Sequence, residues 1–196
     1  NKKWILIGSI AIKDKNKYRN RSIMIGPKGN IVTYYDKIKM FDVKLPNKEQ
    51  HKESKTYKPG KKLVTVNLPW GRLGLTICFD LRFPEIYRNL SKKKLHFISV
   101  PSAFTKITGQ KHWIELLKAR AIENISYCIG VNRIGLDGNG YEYVGHSAVY
   151  NTLGELVSSE ELETDLLQTV TLEKSHINKT RSHLKFLQDR DAFTLK

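Results

Sequence analysis

The sequence lacks several features that mark specialised classes of protein. It has no run of roughly 18 or more apolar residues, the length that a membrane-spanning helix needs, so we expect no membrane partner. Its two cysteines are too few for a disulfide framework, and reduced thiols favour a cytoplasmic location. The chain opens on Asn1 with neither a starting methionine nor a signal peptide, so we expect a fragment or a processed product.

Acidic residues are also scarce: the chain has 19 of them and 34 basic residues, so its net charge is +15. Such an excess can indicate a nucleic-acid partner. The lysines, however, are scattered along the chain, whereas phosphate-binding surfaces gather arginines and aromatic residues on one face. A solvated, lysine-rich surface and the attraction of an anionic small substrate are the alternatives. We therefore predict that the chain binds no nucleic acid.

Hydrophobic residues make up 40% of the chain, which suits one globular domain over residues 1–196 with a substantial core. Their periodicity predicts many strands interrupted by two helices, which is typical of a layered α/β sandwich. The predicted strands cover residues 4–12, 22–25, 31–35, 63–68, 71–78, 96–100, 126–132, 146–150, 156–158 and 167–172. The predicted helices cover 84–93, 110–124 and the start of the tail at 174–196, and the predicted loops are 46–60 and 135–140. No phosphate-binding glycine loop or metal-ligand spacing is present, so we expect no cofactor and no metal.

Cys78 ends the predicted strand at 71–78 and precedes a polar, turn-rich segment and Pro84, which suits the first turn of a helix. A thiol at such a strand-to-helix corner is typical of a nucleophile, and the backbone N–H of Phe79 then stands where an oxyanion donor is needed. The alternative is a buried core cysteine. Cys128 lies within an apolar strand and has no such corner, so we predict that it is part of the core.

Lys37 lies at the end of the predicted strand 31–35, forty-one positions before Cys78. A lysine at a strand end is usually a surface residue. Held near a thiol, a lysine would favour the thiolate and stabilise the oxyanion of a tetrahedral intermediate.

Two segments around these residues resemble the motifs of a known family. Residues 35–42, Tyr-Asp-Lys-Ile-Lys-Met-Phe-Asp, resemble the lysine motif of the nitrilase superfamily, the carbon–nitrogen hydrolases. Residues 74–85, Gly-Leu-Thr-Ile-Cys-Phe-Asp-Leu-Arg-Phe-Pro-Glu, resemble its cysteine motif. Further stretches agree in order at 101–104, 108–109, 112–113, 119–124 and 145–147, so the resemblance runs from about Ile7 to the tail. Within the superfamily the chain is most similar to Nit-like amidases that act on deaminated glutathione or on ω-amides of 2-oxo acids.

The resemblance implies a four-layer α-β-β-α sandwich, assembled as a homodimer or a higher homo-oligomer. It also implies that a small-molecule amide bearing a carboxylate is cleaved at its C–N bond, through a thioester on Cys78, with release of ammonia. Lys37 and the N–H of Phe79 would hold the oxyanion, Glu53 would position the lysine, and a further glutamate would act as general base.

Three more residues are candidates for substrate binding by the same resemblance. Arg82 would pair with a substrate carboxylate, since its planar fork suits that group. Its alternative is a structural ion pair with Asp80 or Glu85. Phe104 would pack on the substrate or, alternatively, in the core, and His112 belongs to a matching segment.

The sequence also departs from the family pattern. The general-base glutamate of the superfamily lies well before the lysine, and by that spacing it would precede Asn1. We therefore expect the N-terminal βαβα unit to be absent and the chain alone to be inactive, with a catalytically incomplete remnant or binding module as the alternative. Lys39 replaces the usual histidine, and Ile114 replaces a usual glutamate, with Glu115 displaced by one position.

Overall fold

The first part of the chain forms a three-stranded antiparallel sheet. The computed structural model describes residues 2–45, 50–159, 167–189 and 194. The strands are β1 (Ile5–Asp14), β2 (Lys17–Ile25) and β3 (Ile31–Asp36), paired in that order. The predicted hairpin turn at 26–30 is confirmed, and Gly29 adopts the φ of +80° that favours glycine. Two short strands, β4 (Asp42–Lys44) and β5 (Gln50–Lys52), then pair as a separate ribbon.

A five-stranded mixed sheet forms the centre of the fold. Its strands are β6 (Val64–Leu68), β7 (Gly71–Leu75), β8 (Phe97–Ser102), β9 (Tyr127–Asn132) and β12 (Ala148–Tyr150). A small separate hairpin of β10 (Ile134–Leu136) and β11 (Glu142–Val144) lies between β9 and β12 in the chain. The order of the five-stranded sheet is β12-β9-β8-β7-β6, with β7, β8 and β9 parallel. Because β7 and β8 are parallel, their C-terminal ends lie at the same end of the sheet, and the candidate site lies just beyond those strand ends.

Helices cover one face of this sheet. They are α1 (Pro84–Ser91) and α2 (Lys106–Asn124), and α3 (Lys174–His183) follows near the C-terminus. In α2, Trp113, Leu117 and Ala121 recur every four residues and are fully buried, so one stripe of the helix packs on the sheet. None of the helices in the described ranges has the length and apolar character needed to cross a bilayer.

The two larger sheets pack face to face, so the predicted layered α/β sandwich is confirmed. Met24 and Tyr35 from the three-stranded sheet share a buried cluster with Val66, Leu75 and Phe97 from the five-stranded sheet. The opposite face of the three-stranded sheet is open, because its large side chains are about half exposed: Ile5, Ile31 and Tyr34.

Several predicted boundaries are wrong. The strand predicted at 71–78 ends at Leu75, and Cys78 takes a positive φ that extended backbone does not allow. No strand forms at 167–172. The predicted loop 46–60 contains β5 and a 3₁₀ turn at Glu53–Lys55, while residues 46–49 lie outside the described part. The predicted loop 135–140 begins inside β10, since Gly135 and Leu136 pair with β11, and residues 137–141 make the connection. Strands of three residues are too short to give a clear alternation.

Candidate active site

Lys37 and Glu53 form a buried ion pair. Lys37 directly follows β3, and its Nζ lies 2.6 Å from Glu53 Oε2. The backbone N–H of Phe41 donates to the same oxygen at 2.7 Å, and Asn20 Nδ2 donates to Oε1 at 3.3 Å. The carboxylate is therefore fixed by three donors, and it in turn fixes the ammonium group in one position.

Cys78 begins a 3₁₀ turn, Cys78–Arg82, directly after the extended residue Ile77. Its φ of +49° lies in the left-handed region, which turns the chain sharply at the thiol. The thiol is partly buried. Among the described contacts the N–H of Phe79 donates to no protein acceptor, so it is free for an oxyanion. The Phe79 ring packs edge-on against Phe41, with ring centroids 5.0 Å apart.

Asp80 joins the lysine segment to the cysteine segment. Its fully buried carboxylate accepts hydrogen bonds from Tyr35 Oη at 2.7 Å, from the Lys39 N–H at 2.9 Å and from the Ile77 N–H at 3.0 Å. Burial raises the pKa of Asp80, and the three donors oppose that rise. Two of the donors flank Lys37 and the third precedes Cys78, so one side chain sets the position of both motifs.

These residues line one cavity of about 700 Å³. Cys78, Lys37, Glu53, Phe79 and Arg82 all contribute to its wall. Among the described lining residues Glu53 is the only acid, and it faces four cationic side chains: Lys37, Lys52, Arg82 and Arg133. A cavity with this balance of charge attracts anionic ligands.

Arg82 lies between aromatic rings at the wall of the cavity. Its Cζ is 5.3 Å from the centre of the Phe104 ring, and its Nη1 donates to His112 Nδ1 at 3.0 Å. Burial lowers the pKa of Arg82. Within the described contacts Arg82 forms no ion pair with Asp80 or Glu85, so the structural ion pair that was the alternative role of Arg82 is not found.

The other two substrate candidates differ in position. Phe104 lines the cavity and also packs on Trp113, with ring centroids 4.9 Å apart. Its core packing is thus observed, and its contact with a substrate stays a prediction. His112 is exposed and is not among the described residues that line the cavity. It contacts Arg82, which does line the cavity. Burial and then the charges of Arg82 and Lys111 lower the pKa of His112, which suits a neutral ring that accepts from the guanidinium.

Cys128 lies fully buried in β9, as predicted for a core residue, and burial raises the pKa of its thiol. In the described ranges no cluster of three or more His, Cys, Asp or Glu side chains could hold a metal ion.

Sequence reasoning missed four residues that shape the site. Asp80 could have been suspected, since it is an acid two positions after the candidate nucleophile in an apolar segment. Asn20, Thr105 and Arg133 line the cavity although they are far apart in the sequence, and no motif among the residues around them indicates that they meet at one site.

Comparison with known proteins finds similar sequences over most of the chain. The family model described as carbon-nitrogen hydrolase matches residues 1–182. A deaminated glutathione amidase of Yersinia enterocolitica is 35% identical over 189 residues, covering 94% of this chain and 66% of that protein. An omega-amidase of Homo sapiens is 34% identical over 160 residues, covering 82% of this chain and 58% of that protein. The chain thus spans about three fifths to two thirds of the length of these relatives.

Solved structures show the same likeness. The C. elegans NitFhit protein superposes with a TM-score of 0.88 at 32% identity, covering 96% of this chain and 47% of that chain. A CN-hydrolase superfamily protein from Xanthomonas campestris gives a TM-score of 0.81 at 28% identity, covering 96% and 69%.

Proposed function

The chain belongs to the carbon–nitrogen hydrolase family, and from this premise we propose that its Cys78 cavity hydrolyses the C–N bond of a small, carboxylate-bearing amide. The observation that carries the proposal is that three groups line one cavity: the thiol of Cys78, the fixed ammonium group of Lys37 and the backbone N–H of Phe79, which has no acceptor among the described contacts. These are the groups that attack at an amide carbonyl requires.

The proposed reaction proceeds in two halves. A general base takes the Cys78 proton as the sulfur attacks the amide carbonyl, and the oxyanion is held by the Lys37 ammonium and the Phe79 N–H. The same base then gives that proton to the leaving nitrogen, so ammonia or an amine departs and a thioester remains on Cys78. Water, deprotonated by the base, attacks the thioester and releases the acid and the free thiol.

Arg82 supports the choice of a carboxylate-bearing substrate. Its guanidinium lines the cavity without a carboxylate partner among the described contacts, and its planar fork can bind a substrate carboxylate with two hydrogen bonds. Two relatives carry the names deaminated glutathione amidase and omega-amidase, and both names denote hydrolysis of amides.

A second candidate function is a ligand-binding module that keeps the cavity without completing the reaction. Glu53 is the only carboxylate among the described lining residues, and Lys37, Phe41 and Asn20 already occupy its oxygens. It is therefore poorly placed to accept a proton from Cys78, and catalysis needs a base from outside this described lining.

Ammonia release from 2-oxoglutaramate, with mass spectrometry of a rapidly quenched sample, tests both candidates. In a longer protein that carries this chain we expect an acyl adduct on Cys78, and Cys78→Ala should abolish both adduct and ammonia while Cys128→Ala retains them. Unchanged turnover in Cys78→Ala would overturn the mechanism. The 196-residue chain alone should bind without turnover, and ammonia release by it would rule out the second candidate. Cytoplasmic location, homo-oligomeric assembly and the absence of a nucleic-acid partner remain predictions.

A further inference from the structure

The loop between β10 and β11 contains the only asparagine in the sequence that is followed by glycine. The loop runs from Asp137 to Tyr141, and both members of the pair, Asn139 and Gly140, are exposed. An asparagine before glycine deamidates readily, because glycine has no side chain that would obstruct attack of its backbone nitrogen on the asparagine amide. The attack forms a cyclic imide, which water then opens.

Little in the structure obstructs this attack. A Cβ at Gly138 or at Gly140 would meet no atom within 4 Å, so the backbone on both sides of Asn139 has room to rotate. Among the described contacts the Asn139 side-chain amide makes no hydrogen bond that would hold it in place. The attacking nitrogen is less free, since the Gly140 N–H donates to the Asp137 carbonyl at 3.1 Å, and this bond must open first.

Asp137 also precedes a glycine, yet its side chain is held in place. The carboxylate accepts hydrogen bonds from the N–H groups of Asn139 and Tyr141 and from the Tyr143 hydroxyl, at 2.8, 3.0 and 2.9 Å. These bonds, the one from Tyr141 foremost, lower the pKa of Asp137, and an aspartate cyclises through its protonated form. The same loop therefore contains one pair that is free to cyclise and one that is not.

Asn139 lines the cavity that contains Cys78. Glu53 is the only acid among the described lining residues, so a carboxylate at position 139 would be a second acid in a wall with four cationic side chains. The charge of Arg133 already reaches this loop, since it contributes to the lowered pKa of Asp137. A negative charge at position 139 would therefore weaken the attraction of the cavity for anions.

We propose that Asn139 is a deamidation site through which ageing of the chain lowers the attraction of the Cys78 cavity for anions. The Gly140 nitrogen bonds to the side-chain amide carbon of Asn139, and its proton leaves with the amide nitrogen as ammonia. Water then adds to either carbonyl of the imide and yields aspartate or isoaspartate, in which the backbone runs through the former side chain. The modification is independent of the proposed function, since neither step involves a substrate.

Incubation of the 196-residue chain at mildly alkaline pH tests the reaction. Peptide mass spectrometry follows the conversion of asparagine to acid, and protein isoaspartyl methyltransferase detects isoaspartate. We expect Asn139 to react before every other asparagine, within about tenfold of the rate in a free peptide of residues 134–144, because the described fold adds the opening of one hydrogen bond. Asp137 should form no isoaspartate, and Asn139→Gln should abolish the reaction at this position.

Alkylation of Cys78 by an anionic and by a neutral reagent measures the consequence for anions. Iodoacetate and iodoacetamide attack the same thiol, so the ratio of their rates reports the electrostatic potential in the cavity. We expect Asn139→Asp to lower the iodoacetate-to-iodoacetamide ratio by about threefold relative to Asn139→Gln. Asn178→Asp is the matched control, because it makes the same change in charge at an exposed residue of α3 outside the described lining, and it should leave the ratio unchanged.

The proposal is wrong if Asn139 stays intact in the folded chain while the free peptide deamidates. It is also wrong if Asn139→Asp and Asn139→Gln give the same ratio of alkylation rates, because the new carboxylate would then not act on anions in the cavity. A failure of the proposed function, in which Cys78 forms no acyl adduct, leaves both tests unaffected because neither uses an amide substrate.

Discussion

The Lys37 ammonium and the Glu53 carboxylate lie 2.6 Å apart, and the lysine is the more deeply buried partner, with 3% of its side chain exposed against 13% for the glutamate. The glutamate keeps two other donors if the lysine is removed, whereas the lysine has no second acceptor among the described contacts. Loss of the glutamate therefore leaves the lysine without a described acceptor, whereas loss of the lysine leaves the glutamate with two donors.

Removing the glutamate should destabilise the fold more than removing the lysine. Glu53→Gln leaves a buried ammonium group without an opposite charge, and we expect it to lower the free energy of unfolding by about 3 kcal/mol. Lys37→Met replaces the ammonium with an apolar chain of similar length and should cost less. Urea denaturation measures both. Glu142→Gln, at the exposed Lys106 pair, is the control and should cost below about 1 kcal/mol. Equal losses for Glu53→Gln and Lys37→Met would contradict the expected asymmetry.

The two cysteines should differ in reactivity toward iodoacetamide. Cys78 is partly exposed in the cavity, while Cys128 is fully buried in β9, where burial raises the pKa of its thiol and disfavours the reactive thiolate. We expect one adduct per folded chain, mapped by peptide mass spectrometry to Cys78, and none in Cys78→Ala. Alkylation of Cys128 in the folded chain would show that β9 is not protected from solvent.

Gly130 should not tolerate a methyl group. A Cβ at this position would lie 2.5 Å from Leu117 Cδ1 and 2.7 Å from Trp113 Cζ2, and both of those side chains are fully buried. Gly130→Ala should therefore lower the free energy of unfolding by about 1–3 kcal/mol, because α2 must move away from the sheet. Gly138→Ala is the matched control: its Cβ would meet no atom within 4 Å, and the change should cost under about 0.5 kcal/mol. Equal thermal midpoints for the two variants would be inconsistent with this packing.

His96 should make stability depend on pH. Its Nδ1 accepts the Arg72 N–H at 3.0 Å, which requires a neutral ring, and burial followed by the charges of Arg181, Lys174 and Arg72 lowers its pKa. The folded state thus binds fewer protons than the unfolded state near pH 6. The stabilisation is complete above the unfolded pKa of about 6.5 and is lost as the pH falls through that value toward the folded pKa.

Denaturation midpoints between about pH 7.5 and 5.5 measure this effect. His96→Asn keeps an acceptor for the Arg72 N–H without titrating, so it should reduce the fall in stability on acidification. The exposed control His183→Asn should not. A residual fall is expected from His112, whose pKa is lowered as well. If stability falls on acidification as much in His96→Asn as in the parent, the His96 ring does not cause the pH dependence.

Local pattern was sufficient for most of the fold. The turn at 26–30, the helix around Trp113 and the buried strands on either side of it follow from periodicity within one segment, and each is found in the structure. The family resemblance rests on short contiguous motifs, and it predicted that Lys37, Glu53 and Cys78 belong to one site. All three line the same cavity.

Non-local pairing explains what could not be predicted. Asp80 is fixed by Tyr35 and Lys39, more than forty positions away, and a single sequence gives no measure of that proximity. The same holds for Thr105 and Arg133, which both lie beside Tyr143, Thr105 through a backbone bridge and Arg133 through the ring. The segment 167–172 has the alternation of a strand, yet no strand is found there in the described part of the chain, because alternation alone does not make a segment join a sheet.

A selection for thermal stability alone would remove the cysteine at position 78. Its φ of +49° belongs to a conformation that side chains other than those of glycine and asparagine adopt at a cost of roughly 1 kcal/mol. Glycine would relieve that cost without disturbing the turn. Variant libraries screened only for heat resistance should therefore drift toward glycine at this position, so ranking variants by melting temperature would select against the thiol.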